Sequence, residues 1–424
     1  MIRRLFIANR GEIALRLIRT ARRLGMTTIL AVSAADSDSL PARLADEVRP
    51  VGSYLDIPDI VAAADGCDAI HPGYGFLSEN AAFARAAAAA GIVFVGPAPE
   101  TLDAMGDKLQ ARRIAAEAGL PAVPGREGGY PLLIKAVAGG GGRGIKRVDC
   151  EEDLDAAMAM ASAEAQAAFG NGEVYVEKFI ASGRHVEVQV LGDGMRAVHL
   201  GDRDCSIQRR FQKLVEEAPA PLIPDDRREA LRGAAVRLAE HLHYRGAGTI
   251  EFLVDAETFD FYFLEMNARL QVEHPVTEAV TGIDLVEQQL QIADGQPLSL
   301  TQDMVRLAGH AIEVRINAED PAHDFRPSPG RVTRAAWPAG PAIRVDTHVA
   351  DGSSVPPLYD SLIGKLIVSG GDRAEAVAWL GEALAALEIK GVASTAVLHR
   401  RIAADPRFVA GGVDTRFFEG FGNG

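Results

Sequence analysis

Residues 251–278, EFLVDAETFDFYFLEMNARLQVEHPVTE, place two short apolar runs, 252–254 and 261–264, on either side of a polar turn. Runs of this length, rich in aromatic and β-branched side chains and closed by a turn, predict an antiparallel hairpin. The hairpin sets Glu251 and Glu265 on neighbouring strands, with Asn267, Arg269, Gln271 and Glu273 following at once. Hard oxygen ligands on adjacent strands suit Mg²⁺ shared with nucleotide phosphates. Two edge carboxylates in water are the alternative, since sequence does not fix the register.

Upstream, HVEVQVLGDGMRAVHL (185–200) alternates Val186, Val188 and Val190 with Glu187 and Gln189 and turns at Asp193-Gly194, a second antiparallel hairpin. Further back, KAVAGGGGRGIK (135–146) puts Gly139, Gly140, Gly141 and Gly142 between two predicted strands, flanked by Lys135 and Arg143. Bare backbone N–H groups there can wrap phosphate oxygens without obstruction. A strand-to-strand setting excludes both the dinucleotide fingerprint and the Walker P-loop, leaving a phosphate-closing flap or a plain flexible hairpin. Together with LLIKA, VYVEKF and a helix over 151–169, the run forms a small separate α/β unit.

The first hundred residues show the βαβ rhythm of a parallel, doubly wound sheet, with Ser78 as the expected cap of the helix ending at Gly91. RDCSIQRRFQKLVEEAP (203–219) gathers Arg203, Arg209, Arg210 and Lys213 ahead of Glu216 and Glu217: either a site for phosphate and carboxylate or a solvated basic face. His185 and His274 read as ordinary surface or packing residues. A helix is expected over 283–296, then a mixed β/α tail with a helix near 373–387.

A chain of 424 residues exceeds one core, so two or three domains are expected. A net charge of −14 argues against sequence-independent binding to nucleic acid or anionic membrane. No run reaches the ~18 apolar residues of a membrane span. Three cysteines without paired spacing suit a reducing cytoplasm; Cys205, beside so many cations, is either reactive or a quiet thiol.

In chain order, ANRGEIALR from Ala8, HPGYGFLSEN from His71, MGDK from Met105, GGGGRG from Gly139, RHVEVQV from Arg184, RDCSIQRR from Arg203, EEAPAP from Glu216, GAGTIEF from Gly246, EMNARLQVEHPVTE from Glu265 and INAEDP from Ile316 resemble the biotin carboxylase family, end to end. The resemblance implies a Rossmann-like N-terminal domain (1–104), an ATP-grasp region (105–305) with a mobile lid over about 121–178, and a mixed β/α C-terminal domain (306–424). It implies ATP phosphates on Lys108, Lys135 and Gly139 to Gly142, and adenosine among Glu177, Lys178, Ile180, His185 and Gln208. Two Mg²⁺ or Mn²⁺ ions would lie on Glu251, Glu265 and Asn267. Bicarbonate would be gripped by Arg269, Gln271 and the backbone of Val272 and deprotonated by Glu273. Lys213 would steady phosphate, Arg269 and Arg315 the biotin enolate, and Tyr74 would border biotin.

No methionine precedes a lysine, so the biotin is expected on a separate carrier protein, alongside carboxyltransferase subunits. Three departures from the family stand out. The stretch between Val123 and Pro131 is short where relatives carry a helix-length piece of lid, and Ala138 and Phe211 replace a usual glycine and histidine. Arg23 takes a common acidic dimer position in a family that is often homodimeric. Two other readings remain: an ATP-grasp ligase passing an acyl phosphate to an amine, and an inactive ATP-sensing scaffold.

Overall fold

The computed structural model describes residues 1–138 and 144–421. Five short apolar segments near the N-terminus, β1 (Arg4–Ile7), β2 (Thr27–Val32), β3 (Glu47–Pro50), β4 (Ala69–His71) and β5 (Val93–Phe94), form a parallel sheet in the order β3-β2-β1-β4-β5. Helix α1 (Gly11–Arg23) follows β1 and is buried along Ile13, Ala14, Leu17, Ile18 and Ala21, as its 3.6-residue period requires. Helix α2 (Ala81–Ala89) is capped by Asn80, whose side chain accepts the Phe83 N–H at 3.0 Å. The expected cap, Ser78, is instead buried in the preceding turn, where its N–H donates to Gly75 O.

Helix α3 (Lys108–Glu117), capped by Asp107, leads into the small unit foreseen from the glycine run. There β6 (Leu132–Ala136), β7 (Ile145–Val148) and β8 (Val174–Lys178) form a sheet in the order β7-β6-β8, covered on one face by α4 (Leu154–Phe169). Between α3 and β6 lies only a single short turn at Arg126–Gly128.

One antiparallel eight-stranded sheet supports the rest, in the order β13-β12-β9-β10-β11-β14-β16-β15. Its strands are β9 (Gly183–Asp193), β10 (Ala197–Arg209), β11 (Gln212–Ala218), β12 (Arg245–Asp255), β13 (Phe261–Asn267), β14 (His310–Asn317), β15 (Ile343–Thr347) and β16 (Leu362–Gly370). Helix α5 (Asp225–His241) covers the β9–β10 face through Leu231, Ala234, Ala235 and Leu238, packed on Val186, Val188 and Val190. Burying each valine is worth about 1.5–3 kcal/mol. The opposite face carries Glu187 and Gln189, which are just as buried. A charged strand face without solvent needs charged partners. Helices α6 (His274–Thr281), α7 (Leu285–Ala293) and α8 (Arg373–Ala386) complete the chain's main packing. Among the described residues, no helix is long and apolar enough to cross a membrane.

Candidate active site

The unpacked face of the long sheet, the lid sheet and the loops after β1 and β4 enclose a cleft of about 1340 Å³. Every described residue singled out for the site lines it. From the lid and its approach come Lys108, Lys135, Glu177, Lys178 and Ile180; from β9–β11 come His185, Gln208 and Lys213. Tyr74, Glu251, Glu265, Asn267, Arg269, Gln271, Val272, Glu273 and Arg315 complete the set. Gly139 to Gly142 lie outside the described residues.

The hairpin register makes Glu251 and Glu265 direct cross-strand partners. Glu251 Oε1 accepts from Lys213 Nζ (2.7 Å), Asn267 Nδ2 (2.8 Å) and Gln271 Nε2 (2.9 Å), while its Oε2 lies 3.0 Å from His185 Nε2. Burial alone would raise this carboxyl, but Lys213 and His185 outweigh it and hold Glu251 well below the carboxylate range. His185 moves the other way: burial would lower it, yet Glu251 keeps it up at about 9, so it is a charged member of the site and not a packing residue. Two acids on adjoining strands are the donor type a hard divalent cation takes, but here Glu251 is engaged by Lys213 and His185 and the Asn267 oxygen by Arg269, so a bound ion would have to displace these contacts. Glu265 opens onto the cleft and is raised by desolvation and by its neighbour Glu251, a repulsion that such a cation would relieve.

Glu273 is the cap residue of α6, with Pro275 in the first turn, yet its side chain makes no cap hydrogen bond. It turns outward, so that Oε1 accepts from Lys213 Nζ at 2.8 Å and Oε2 from Arg315 at 2.9 Å. Burial would raise Glu273, but Lys213 and then Arg315, with Arg203 behind them, overcome both burial and nearby Glu187 and keep it ionised. The positive end of α6 acts in the same sense. Lys213 and Arg315 keep Glu273 in the ionised form that can take up a proton, while the same two cations weaken it as a base, so its proton affinity rises only when one of them turns to another partner.

Arg269 is aimed by three acceptors, Glu79 at 2.8 Å, Asn267 Oδ1 at 2.8 Å and Leu270 O at 3.2 Å. The Tyr74 loop is fixed by Asn9, whose Nδ2 donates to Pro72 O (2.6 Å) and Tyr74 O (2.8 Å). At Gly73, φ is +62° and a Cβ would fall 2.8 Å from that same amide, so no side chain fits. Lys135 and Arg112 both bond Glu177, so the lid's acid and the expected phosphate lysine are engaged with each other.

Behind these lies a set of bracing contacts, of which Lys365 and Glu12 were not singled out from sequence. Arg203, fully buried, donates to Glu187 (2.6 Å), Gln189 (2.8 Å), Gln271 (2.6 Å), Thr249 (3.1 Å) and Thr277 (2.9 Å) and so braces the floor. Lys213 also bonds Glu187 at 2.6 Å. Lys365 of β16, with no exposure, donates to Val272 O at 2.8 Å and lies 3.3 Å from Glu12. The basic run 203–219 therefore divides: Arg203 and Lys213 turn inward, whereas Arg209 and Arg210 pair with exposed Asp324. Cys205 is fully buried and its thiol is pushed well up by burial, the quiet alternative. His274 is a packing residue, its Nδ1 2.7 Å from Gln271 O and its charged form suppressed by burial. Phe211 stands 63% exposed at the cleft with φ at +65°.

Three family models match consecutive stretches: biotin carboxylase N-terminal domain over residues 1–102, the ATP binding domain of carbamoyl-phosphate synthase L chain over 107–301, and biotin carboxylase C-terminal domain over 313–420. Lid, strand hairpins and acid-lined cleft together define an ATP-dependent ligase of the ATP-grasp class. The chain is 51% identical to a biotin carboxylase of Nostoc sp., covering 98% of both chains. It superimposes with a TM-score of 0.93 on Campylobacter jejuni biotin carboxylase, solved as a β-γ-ATP complex, at 45% identity and 99% coverage of each chain. The biotin carboxylase domain dimer of Hydrogenobacter thermophilus 2-oxoglutarate carboxylase, solved with MgADP, ADP and bicarbonate, gives a TM-score of 0.93 at 44% identity, covering 99% of this chain and 98% of that one. The chain belongs to the biotin carboxylase family.

Proposed function

We propose that this protein uses ATP and bicarbonate to carboxylate biotin carried on a separate biotin carboxyl carrier protein, as the first half-reaction of an acyl-CoA carboxylase, with acetyl-CoA the favoured final acceptor. The observation that carries the reading is the placement of Glu273 between Lys213 and Arg315, in one cleft with Arg269 and the Glu251–Glu265 pair.

Lys108 and Lys135, with Gly139 to Gly142, would receive the triphosphate, and Glu177, Lys178, Ile180, His185 and Gln208 the adenosine. Two Mg²⁺ or Mn²⁺ ions on Glu251, Glu265 and Asn267 would offset the charge of the transferring phosphate. Arg269, Gln271 and the Val272 backbone hold bicarbonate as a carboxylate-like fork. Glu273 removes its proton, and the freed oxygen attacks the γ-phosphorus as ADP departs. The carboxyphosphate formed collapses to CO₂ and phosphate, with Lys213 beside the phosphate, which takes the ureido proton of biotin. Arg269 and Arg315 stabilise the resulting enolate while it adds to CO₂, and Tyr74 borders the ring.

The carrier and carboxyltransferase are partners in this reading, as is a second copy of the chain, and the cytoplasm is its location. Arg23, at the expected dimer position, is held within the chain by Asp284 (2.8 Å) and Glu287 (2.7 Å), so a dimer here would use other contacts at that point. Bicarbonate-dependent ATP hydrolysis with and without free biotin tests the proposal. Stimulation by biotin is the expected result. Stimulation by an amine instead would make the protein another ligase of the class, and nucleotide binding without turnover would make it a scaffold.

A further inference from the structure

Beside Arg315, β11 and β14 bring Glu216 and Glu313 opposite one another as direct cross-strand partners. Side chains so placed have Cβ atoms about 5 Å apart. Neither residue has any exposure. Glu216 Oε1 accepts from Arg315 Nε at 2.6 Å, but Glu216 Oε2 and both oxygens of Glu313 have no hydrogen-bond partner among the described residues.

The charged groups facing this pair are few, and each is shared. Arg315, on β14 itself, also serves Glu273. Lys213, on β11, is divided among Glu187, Glu251 and Glu273. From β16, Lys365 is engaged with Val272 O and with Glu12 at the start of α1. From α6 come Glu273, itself an anion, and His274, which burial keeps uncharged. Two adjacent, fully buried carboxylates whose neighbouring cations are all shared with other acids cannot both ionise.

We propose that Glu216 and Glu313 hold one proton between them and act as a positioning pair that aims Arg315 at Glu273. Burial, against the pull of Arg315, pushes Glu216 up to about 7, and burial pushes Glu313 well above the ordinary carboxylate range even with Lys365 nearby. Glu216, the residue that touches Arg315, carries the charge; Glu313 keeps the proton. With a single negative charge on the pair, Arg315 is anchored at Nε and reaches Glu273 with the adjacent terminal nitrogen. Loss of the proton would place a second negative charge next to the guanidinium and draw it toward the pair, away from Glu273. Neither residue lines the cleft, so neither touches substrate.

The inference rests on the biotin carboxylation reading, and its test separates the two. Biotin-stimulated, bicarbonate-dependent ATP hydrolysis is measured from pH 6 to 10 in the full chain and in Glu313→Gln and Glu216→Gln, with thermal melting as a check on folding. A glutamine at 313 cannot ionise, so the alkaline fall in kcat should move up by about one pH unit or more. Removing the anchor at 216 should lower kcat about 10- to 100-fold while the ATP KM stays the same. A Glu313→Gln profile that superimposes on wild type overturns the inference, as does a folded Glu216→Gln with wild-type kcat. If Glu216→Gln does not fold, the Glu313→Gln profile decides alone. A wild-type chain without biotin stimulation would instead remove the functional reading beneath it.

Discussion

Replacing Glu273 with glutamine is the most direct challenge to the proposed chemistry, because the surroundings say what else should change. The carboxylate accepts from Lys213 at 2.8 Å and from Arg315 at 2.9 Å. Glutamine keeps the shape and can accept from one of these cations, but it turns an amide N–H₂ toward the other. The loss is one charge-assisted hydrogen bond and one donor facing a donor, about 2–4 kcal/mol of stability. Neither cation is stranded: Lys213 keeps Glu187 and Glu251, and Arg315 keeps Glu216. The variant should therefore fold. ATP should still bind, since the residues proposed for its phosphates lie on α3 and the lid. Turnover should fall about 10²- to 10⁴-fold, the usual worth of a general base and about 3–5 kcal/mol of barrier. ADP release at saturating bicarbonate and biotin measures turnover, and titration calorimetry with ATP measures binding. Turnover within about fivefold of wild type in a folded variant would refute the assignment of Glu273 as base.

Chelation of divalent cations should abolish ATP turnover, and Mg²⁺ or Mn²⁺ should restore it. Glu265→Gln, which removes a carboxylate open to the cleft, should raise the Mg²⁺ concentration needed for half-maximal activity about tenfold; an unchanged requirement would remove Glu265 from the metal site. Phe211→His should lower the ATP KM about fivefold through one added hydrogen bond and lose no stability, because histidine tolerates a positive φ better than phenylalanine; an unaltered KM would show that position 211 does not meet the nucleotide. His71 is wholly buried, accepts the Gly73 N–H at 3.0 Å on Nδ1, and is pushed by burial down to about 3. Its folded value lies below its unfolded one, so the stability it contributes is present above about pH 6.5 and is lost as pH falls toward 3. The stability gap between wild type and His71→Asn in urea melts should accordingly shrink by about 2 kcal/mol from pH 7 to 5, and a constant gap would show that His71 titrates normally.

The hairpin that pairs Glu251 with Glu265, the strands beside the glycine run and the parallel N-terminal sheet were all legible, because each is announced by local periodicity and turn chemistry. What escaped was set by long-range packing. Glu187 and Gln189 look like the solvent side of an alternating strand; only burial of both faces makes them acceptors for Arg203. Lys365, Glu12 and Glu313 come from distant segments and carry no local signal of convergence behind Val272. Asn80 and Ser78 are equally good caps by type, and the turn that buries Ser78 chose between them. His185 read as ordinary because its partner Glu251, on the adjacent strand β12, is far away in sequence.

Because β11 pairs with β14 within a single sheet, the seam between the ATP-grasp and C-terminal family models is a row of strand hydrogen bonds with Glu273, Arg315 and the buried acid pair strung across it. Splitting the chain in the loop before β14 would not release two modules. It would yield two halves with raw, complementary edges, prone to clump when made singly and able to regain activity only by zipping together in one cell. The proposed catalytic centre is thus a property of the join, and transplanting either half into another ligase would carry away an incomplete set of charges.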